Sequence, residues 1–160
     1  MFFIVGQQFL ILFAKQSGFD LSNIPIFIIL FTFIQTVTIY YGGVLIDRVG
    51  SYKMLMASFI FGILSILSIN FNLWLSFVFL GLFTVLSLNS IRSYISVNAK
   101  SKGFMFGILY GGVAIVSSIS SLNIGYLWQY LGFETMLVFT LIGMITLFIF
   151  SILKNMHSSL

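Results

Sequence analysis

The sequence predicts an all-α integral membrane fold: a polytopic bundle of five full transmembrane helices preceded by one N-terminally truncated helix. Three observations carry that prediction. The chain is 60% hydrophobic and 6% charged over 160 residues, far below the roughly 25% charge that keeps a globular domain in solution. Apolar runs recur along it, each near the ~20 residues a helix needs to cross ~30 Å of hydrocarbon. Runs such as TMLVFTLIGMITLFIFSIL do not alternate as the strands of a membrane barrel do. No soluble domain is expected.

The first apolar segment covers 1–14. As a helix it reaches about 21 Å, short of the ~30 Å core, so the chain is expected to begin inside a span whose upstream part is missing. A cleaved signal peptide fits poorly. No basic residue precedes the apolar core, no A-x-A site follows it, and Gln7 and Gln8 interrupt it. After the polar KQSGFDLSN, Ser22 or Asn23 can cap the second helix, 23–46. Pro25 suits its first turn, where a missing N–H costs little. The third helix, 52–69, stops at NFN, and the fourth covers 73–89, with an extension through Tyr94 left open. Polar SVNAKSKG separates it from the fifth, 103–126. The sixth spans 135–153, and a short polar tail ends the chain.

Charge placement sets orientation. Numbering the connections alternately puts Arg48, Lys53, Arg92, Lys100, Lys102 and Lys154 on one side, and Lys15, Asp20 and Glu134 on the other. The positive-inside rule makes the basic side cytoplasmic, with the C-terminus there too. The net charge of +4 thus reads as a topology signal, and no nucleic-acid partner is expected. With no cysteine and a single histidine, His157, neither a disulfide framework nor a thiolate metal site is available, and no cofactor is expected. An intramembrane enzyme needs clustered His, Asp, Glu or Ser groups. Here the acids map to loops and the histidine to the tail, so no catalytic residue is assigned.

Between the second and third helices, Gly43, Leu45, Asp47, Arg48, Gly50 and Lys53 fit the pattern G-x-L-x-D-R-x-G followed by a basic residue. Gly43 lets the end of one helix approach a neighbour closely, and Gly50 permits a tight turn into the next span. Asp47 can accept hydrogen bonds at a helix terminus or pair with a nearby base. Arg48 supplies a forked donor for another helix or a lipid phosphate. This loop resembles the signature of the major facilitator superfamily. AKQSGFDLSNIPI is similar to that family's linker between helices seven and eight. SVNAKSKGFMFGILYGGVAIVSSISSLNIGYLWQYLGFETMLVF is similar to its passage from the loop after helix ten through helix twelve. The resemblance covers nearly the whole chain as a C-terminal half, helices seven (partial) to twelve. It implies that Gly43, Asp47, Arg48, Gly50 and Lys53 form a conformational latch whose polar contacts form in one access state and break in the other. Ser51 and Tyr52 stand where the motif usually has basic residues, which weakens that latch.

In the fifth helix Gly103, Gly107, Gly111, Ala114, Ser118, Ser121 and Gly125 follow steps averaging close to 3.6. Such a small-residue stripe lets helices pack closely in lipid, so this helix is expected in the interior. The sixth, almost without polar atoms, is expected to face lipid. Polar residues inside spans are costly unless paired or facing water. They nominate a substrate cavity of Gln7, Gln8, Thr32, Gln35, Thr36, Thr84, Ser87, Tyr110, Ser117 and Asn123. For Gln35 a plain interhelical hydrogen bond is an equal alternative, and Ser and Thr hydroxyls can bond back to their own helix. The cavity is expected to be uncharged.

The expected function is transport of a small solute of unspecified class as half of a facilitator-type secondary transporter, rocking against an N-terminal half around a mid-membrane site. The chain is expected to be a fragment that is not competent alone. Two alternatives stay open: a half-transporter working as a homodimer or with a separate N-terminal half, and a non-transporting membrane interaction protein. The resemblance implies the bacterial inner (cytoplasmic) membrane, with the lipid bilayer as the principal partner.

Overall fold

A computed structural model describes residues 10–16, 18, 19 and 23–158, with side chains through residue 153. Gln7, Gln8, Asp20 and Ser22 lie outside the described residues, as does most of the first predicted span. The described residues are all-helical: α1 (10–16), α2 (Ile24–Val49), α3 (Ser51–Ser68), α4 (Leu73–Asn98), α5 (Lys102–Leu131) and α6 (Phe133–Ser158). The last five are long and apolar enough to cross a membrane.

Local chemistry explains the boundaries. Pro25 opens α2, and Asn23 occupies the N-cap position without a side-chain cap bond. Its carbonyl instead accepts from the N–H of Ile26 at 3.1 Å. A single residue, Gly50, joins α2 to α3. Its φ of 97° lies in the region open to glycine, and its N–H closes the end of α2 on the carbonyl of Ile46 at 2.9 Å. Asn72 caps α4, accepting from the N–H groups of Trp74 at 3.0 Å and Leu75 at 3.4 Å.

Helix α4 lies at the centre. It packs along both α2 and α3, α6 packs outside α3, and α5 lies against α6 with a lighter contact to α4. Of the apolar stretch of α4, 56% is buried, against 11% for α5. Close approach to α4 depends on small residues. A Cβ added at Gly81 would meet Ile34 Cγ2 at 3.0 Å and the Phe31 carbonyl oxygen at 3.4 Å; one added at Gly42 would meet Leu86 Cδ2 at 2.9 Å. Across the α3–α4 seam, the Ser65 hydroxyl donates to the Ser76 carbonyl at 3.0 Å and the Ser76 hydroxyl returns the bond to the Ser65 carbonyl at 2.8 Å. Both side chains are buried. Stacked Phe27 and Phe77, 5.0 Å between ring centroids, fill the α2–α4 seam. An apolar gap of about 50 Å³ remains where α3, α4, α5 and α6 converge, lined by Gly62, Leu80, Phe83, Ile124 and Met144 among others.

Within the chain the fifth helix is the least buried of the five long helices, and the sixth is better covered than it. The small-residue stripe points away from the bundle. Nothing stands within 4 Å of a Cβ placed at Gly103, Gly107, Gly111 or Gly125, and Ala114 and Ser118 are exposed, with Ser121 half-buried. The buried residues of α5 are Ser120 and Ile124. Ser120 lies two residues beyond Ser118, about 200° around the helix, which puts it on nearly the opposite side. Periodicity had identified a face but not its direction.

Gly81→Val is expected to lower the stability of the detergent-solubilised chain by about 1–3 kcal/mol, because stiff, β-branched Ile34 has nowhere to retreat. Gly107→Ala, on the open face, should leave stability unchanged or raise it slightly. Unfolding in a denaturing detergent followed by circular dichroism measures both.

Candidate functional site

Two groups of residues were nominated as sites. The latch residues cluster at the α2–α3 junction, but Asp47 and Arg48 form the last turn of α2 instead of a loop. The helix continues past residue 46 because nothing before Gly50 stops it. Asp47, Arg48 and Lys53 are exposed, and no ion pair joins them to any described residue. Arg48 suits a helix C-terminus, whose dipole favours a cation there. The close approach expected at Gly43 belongs to its neighbour: a Cβ at Gly43 meets nothing within 4 Å, whereas Gly42 sits against Leu86. Gly50 makes the turn, as its positive φ requires.

Ser51 and Tyr52, the departures from the motif, fasten the junction to its own bundle. The Ser51 hydroxyl donates to Ser93 Oγ of α4 at 3.1 Å. The Tyr52 hydroxyl donates to the Ser151 carbonyl of α6, and Ser151 Oγ donates back to it at 3.4 Å. The start of α3 is thereby tied to the ends of two other helices.

The second group centres on α4. A depression of about 300 Å³ is lined by Gln35 and Ile39 of α2 and by Thr84, Val85, Leu88, Asn89 and Arg92 of α4. The α4 residues recur at three- and four-residue steps, so they form one face over about 12 Å of helix. Gln35 donates from Nε2 to Thr84 Oγ1 at 3.0 Å, and Thr84 in turn donates to the Gly81 carbonyl at 3.0 Å. Gln35 therefore both bridges helices and lines the depression. From α5, the Tyr110 ring faces Arg92, with the guanidinium carbon 5.4 Å from its centroid. Helices α2 and α5 do not approach each other closely, and the α4 face between them is buried at Thr84 and Val85 and half-buried at Leu88, Asn89 and Arg92.

Most of the other nominated hydroxyls satisfy themselves locally. Thr36 donates to the Thr32 carbonyl at 2.9 Å, Ser87 to the Phe83 carbonyl at 2.5 Å, and Ser117 to the Ala114 carbonyl at 2.9 Å. Ser87 is buried on another side of α4, Thr32 and Thr36 are exposed on α2, and Asn123 is exposed far along α5. Of the nominated cavity residues, the structure gathers Gln35, Thr84 and, across Arg92, Tyr110.

Arg92 and Asn89 were missed, and with them the charge. The fourth helix runs to Asn98, past both the predicted 89 and the extension through Tyr94 that was left open, so Arg92 is a helical residue lining the depression. The signal was present. No Gly or Pro interrupts 82–102, and Thr84, Leu88 and Arg92 share a four-residue step. Arg92 is half-buried, and its Nε is buried with no hydrogen-bond partner among the described residues. Among the described residues the acids Asp47 and Glu134 are exposed and unpaired with it. Insertion of an arginine at mid-membrane costs about 2.5–3.5 kcal/mol, a cost that falls toward the surface as the side chain reaches for water. This one lies over an aromatic ring, an arrangement that offsets part of that cost through the ring quadrupole. The expectation of an uncharged cavity is thus corrected.

No family model, no curated protein and no solved structure matches this chain.

Gly50→Ala should cost about 1–3 kcal/mol, the strain of holding a side chain at that φ. Gly43→Ala should be neutral or mildly stabilising, since space is open and alanine favours helix. Comparing the thermal unfolding midpoints of the two purified variants in the same detergent separates these outcomes.

Proposed function

We propose that this chain acts as the C-terminal half of a major facilitator-type secondary transporter, with its solute site on the face shared by α2, α4 and α5. The observation that carries this reading is a pairing of exposure with polarity. The two helices that the chain covers least, α2 at 17% and α5 at 11%, are the ones flanking the polar depression. In an isolated membrane bundle that needed no partner, the uncovered helices would be expected to carry the least polar chemistry, because unsatisfied polar groups in hydrocarbon are expensive. Here they present Gln35, Tyr110 and the approach to Arg92. A second half laid across this face would close the depression into a cavity at the interface, where secondary transporters hold their solutes. The outward-pointing small-residue stripe of α5 then becomes a packing surface for that half.

The same reading supplies orientation. The junctions at Gly50 and at 99–101, with Arg48, Lys53, Lys100 and Lys102, lie at one end of the bundle, which the positive-inside rule assigns to the cytoplasm of a bacterial inner membrane. Asp47, Arg48 and Lys53, exposed and without an ion pair among the described residues, are then free to engage the second half.

Flux into proteoliposomes tests the proposal. The purified chain alone is expected to give no solute-specific uptake above empty vesicles, and uptake should appear when a complementary six-span half is co-reconstituted. Such a half is to be sought first in the reading frame next to the gene. In the assembled pair, Asp47→Asn should slow turnover more than it weakens solute binding. Uptake by the chain alone would favour a homodimeric half-transporter, and no uptake with any complementary half would leave a packing protein.

A further inference from the structure

We infer that the depression on α4 is an oxyanion site, with Arg92 as counter-ion for a carboxylate or phosphate group on a small ligand. This rests on the transporter reading only for what happens to the ligand afterwards; the binding chemistry stands on the local geometry. Four observations converge. Arg92 carries a fixed positive charge on a helix face that no described acid neutralises. Its Nε is buried with no hydrogen-bond partner among the described residues, which leaves the two Nη groups as the donors a ligand would meet. Asn89 stands one turn away on the same face, while Gln35 has one amide hydrogen on Thr84 and its remaining polar capacity facing the depression. The Tyr110 ring faces the guanidinium and limits its swing.

A planar fork with neutral amide donors alongside matches an oxyanion, which accepts several hydrogen bonds while supplying the missing charge. A cation fits badly beside Arg92, and a neutral solute would leave the charge unanswered. The remaining walls, Ile39, Val85 and Leu88, are apolar. The volume of about 300 Å³ is at the lower end of small-molecule sites. The best-fitting ligand is therefore small and amphipathic: an anionic head on a short apolar body. A soluble organic anion and the phosphate of an anionic lipid share that head chemistry.

Equilibrium dialysis of the full chain in nanodiscs tests this with benzoate and its neutral isostere benzamide as probes. In phosphatidylcholine discs, saturable benzoate binding is expected, with benzamide at least about tenfold weaker, as for loss of a charge-assisted hydrogen bond. Arg92→Gln should weaken benzoate by a similar factor, and Arg92→Lys should restore part of it. In phosphatidylglycerol discs, benzoate binding that survives identifies a soluble anion as the ligand. Benzoate binding lost there, with phosphatidylglycerol co-purifying with the original chain but not with Arg92→Gln, identifies the lipid headgroup. Equal binding of benzoate and benzamide to the original chain overturns the proposal, and needs no variant to fold. Benzoate binding unchanged in Arg92→Gln overturns it too, as does the absence of both benzoate binding and phosphatidylglycerol preference. Because dialysis measures no transport, flux by the co-reconstituted pair without anion binding refutes the oxyanion site alone, and anion binding without flux by that pair refutes the transporter alone.

Discussion

Helices that expose apolar residues on every side gain little, in lipid, from burying those residues against each other, because hydrocarbon is already an apolar surrounding. What holds such a bundle together is closeness: van der Waals contact along a seam and the few hydrogen bonds that cross it. In this chain the closeness converges on α4. Gly81 lets α2 lie against it, Gly42 opens the matching space from the other side, and Ser65 with Ser76 stitches it to α3. The serine pair is economical because each hydroxyl reaches a carbonyl of the facing helix. Two backbones are thus joined with no long side chain between them. The rest of the architecture follows from which helices obtain such a seam. Helices α2 and α3 do, α6 is held through α3, and α5 is held mostly through α6.

That hierarchy leaves a depression along one side of α4, and the longer polar side chains collect there. Apart from the Ser65–Ser76 pair, buried hydroxyls such as those of Ser58 and Ser68 bond to carbonyls of their own helices. Such hydroxyls contribute smallness more than polarity. Along that depression the amides of Gln35 and Asn89 and the guanidinium of Arg92 line a common space instead.

How much of this could be read from the sequence depended on whether a feature is local. Gly50 was legible because its role is decided by its own backbone, and the turn lies where the motif placed it. The number of long apolar helices was legible because it depends on length and composition. The seams were not. Ser65 and Ser76 look like two unremarkable hydroxyls until the register of α3 on α4 is known, and the α5 stripe has a period but no compass. Arg92 was ambiguous, because a charge near the end of an apolar run can belong to a loop or to the helix. A charge ends a span only when water is the best partner it can find. Here an aromatic ring lies beside the side chain, and α4 continues for six more residues.

The one-residue junction at Gly50 also constrains how the helices can move. A single peptide unit spans less than about 4 Å, so the end of α2 and the start of α3 cannot separate at this point. By contrast the α4–α5 connection, 99–101, gives the chain a little slack. Linker length thus makes α2 and α3 two arms hinged at one residue, and α4, which packs on both, sets the angle between them.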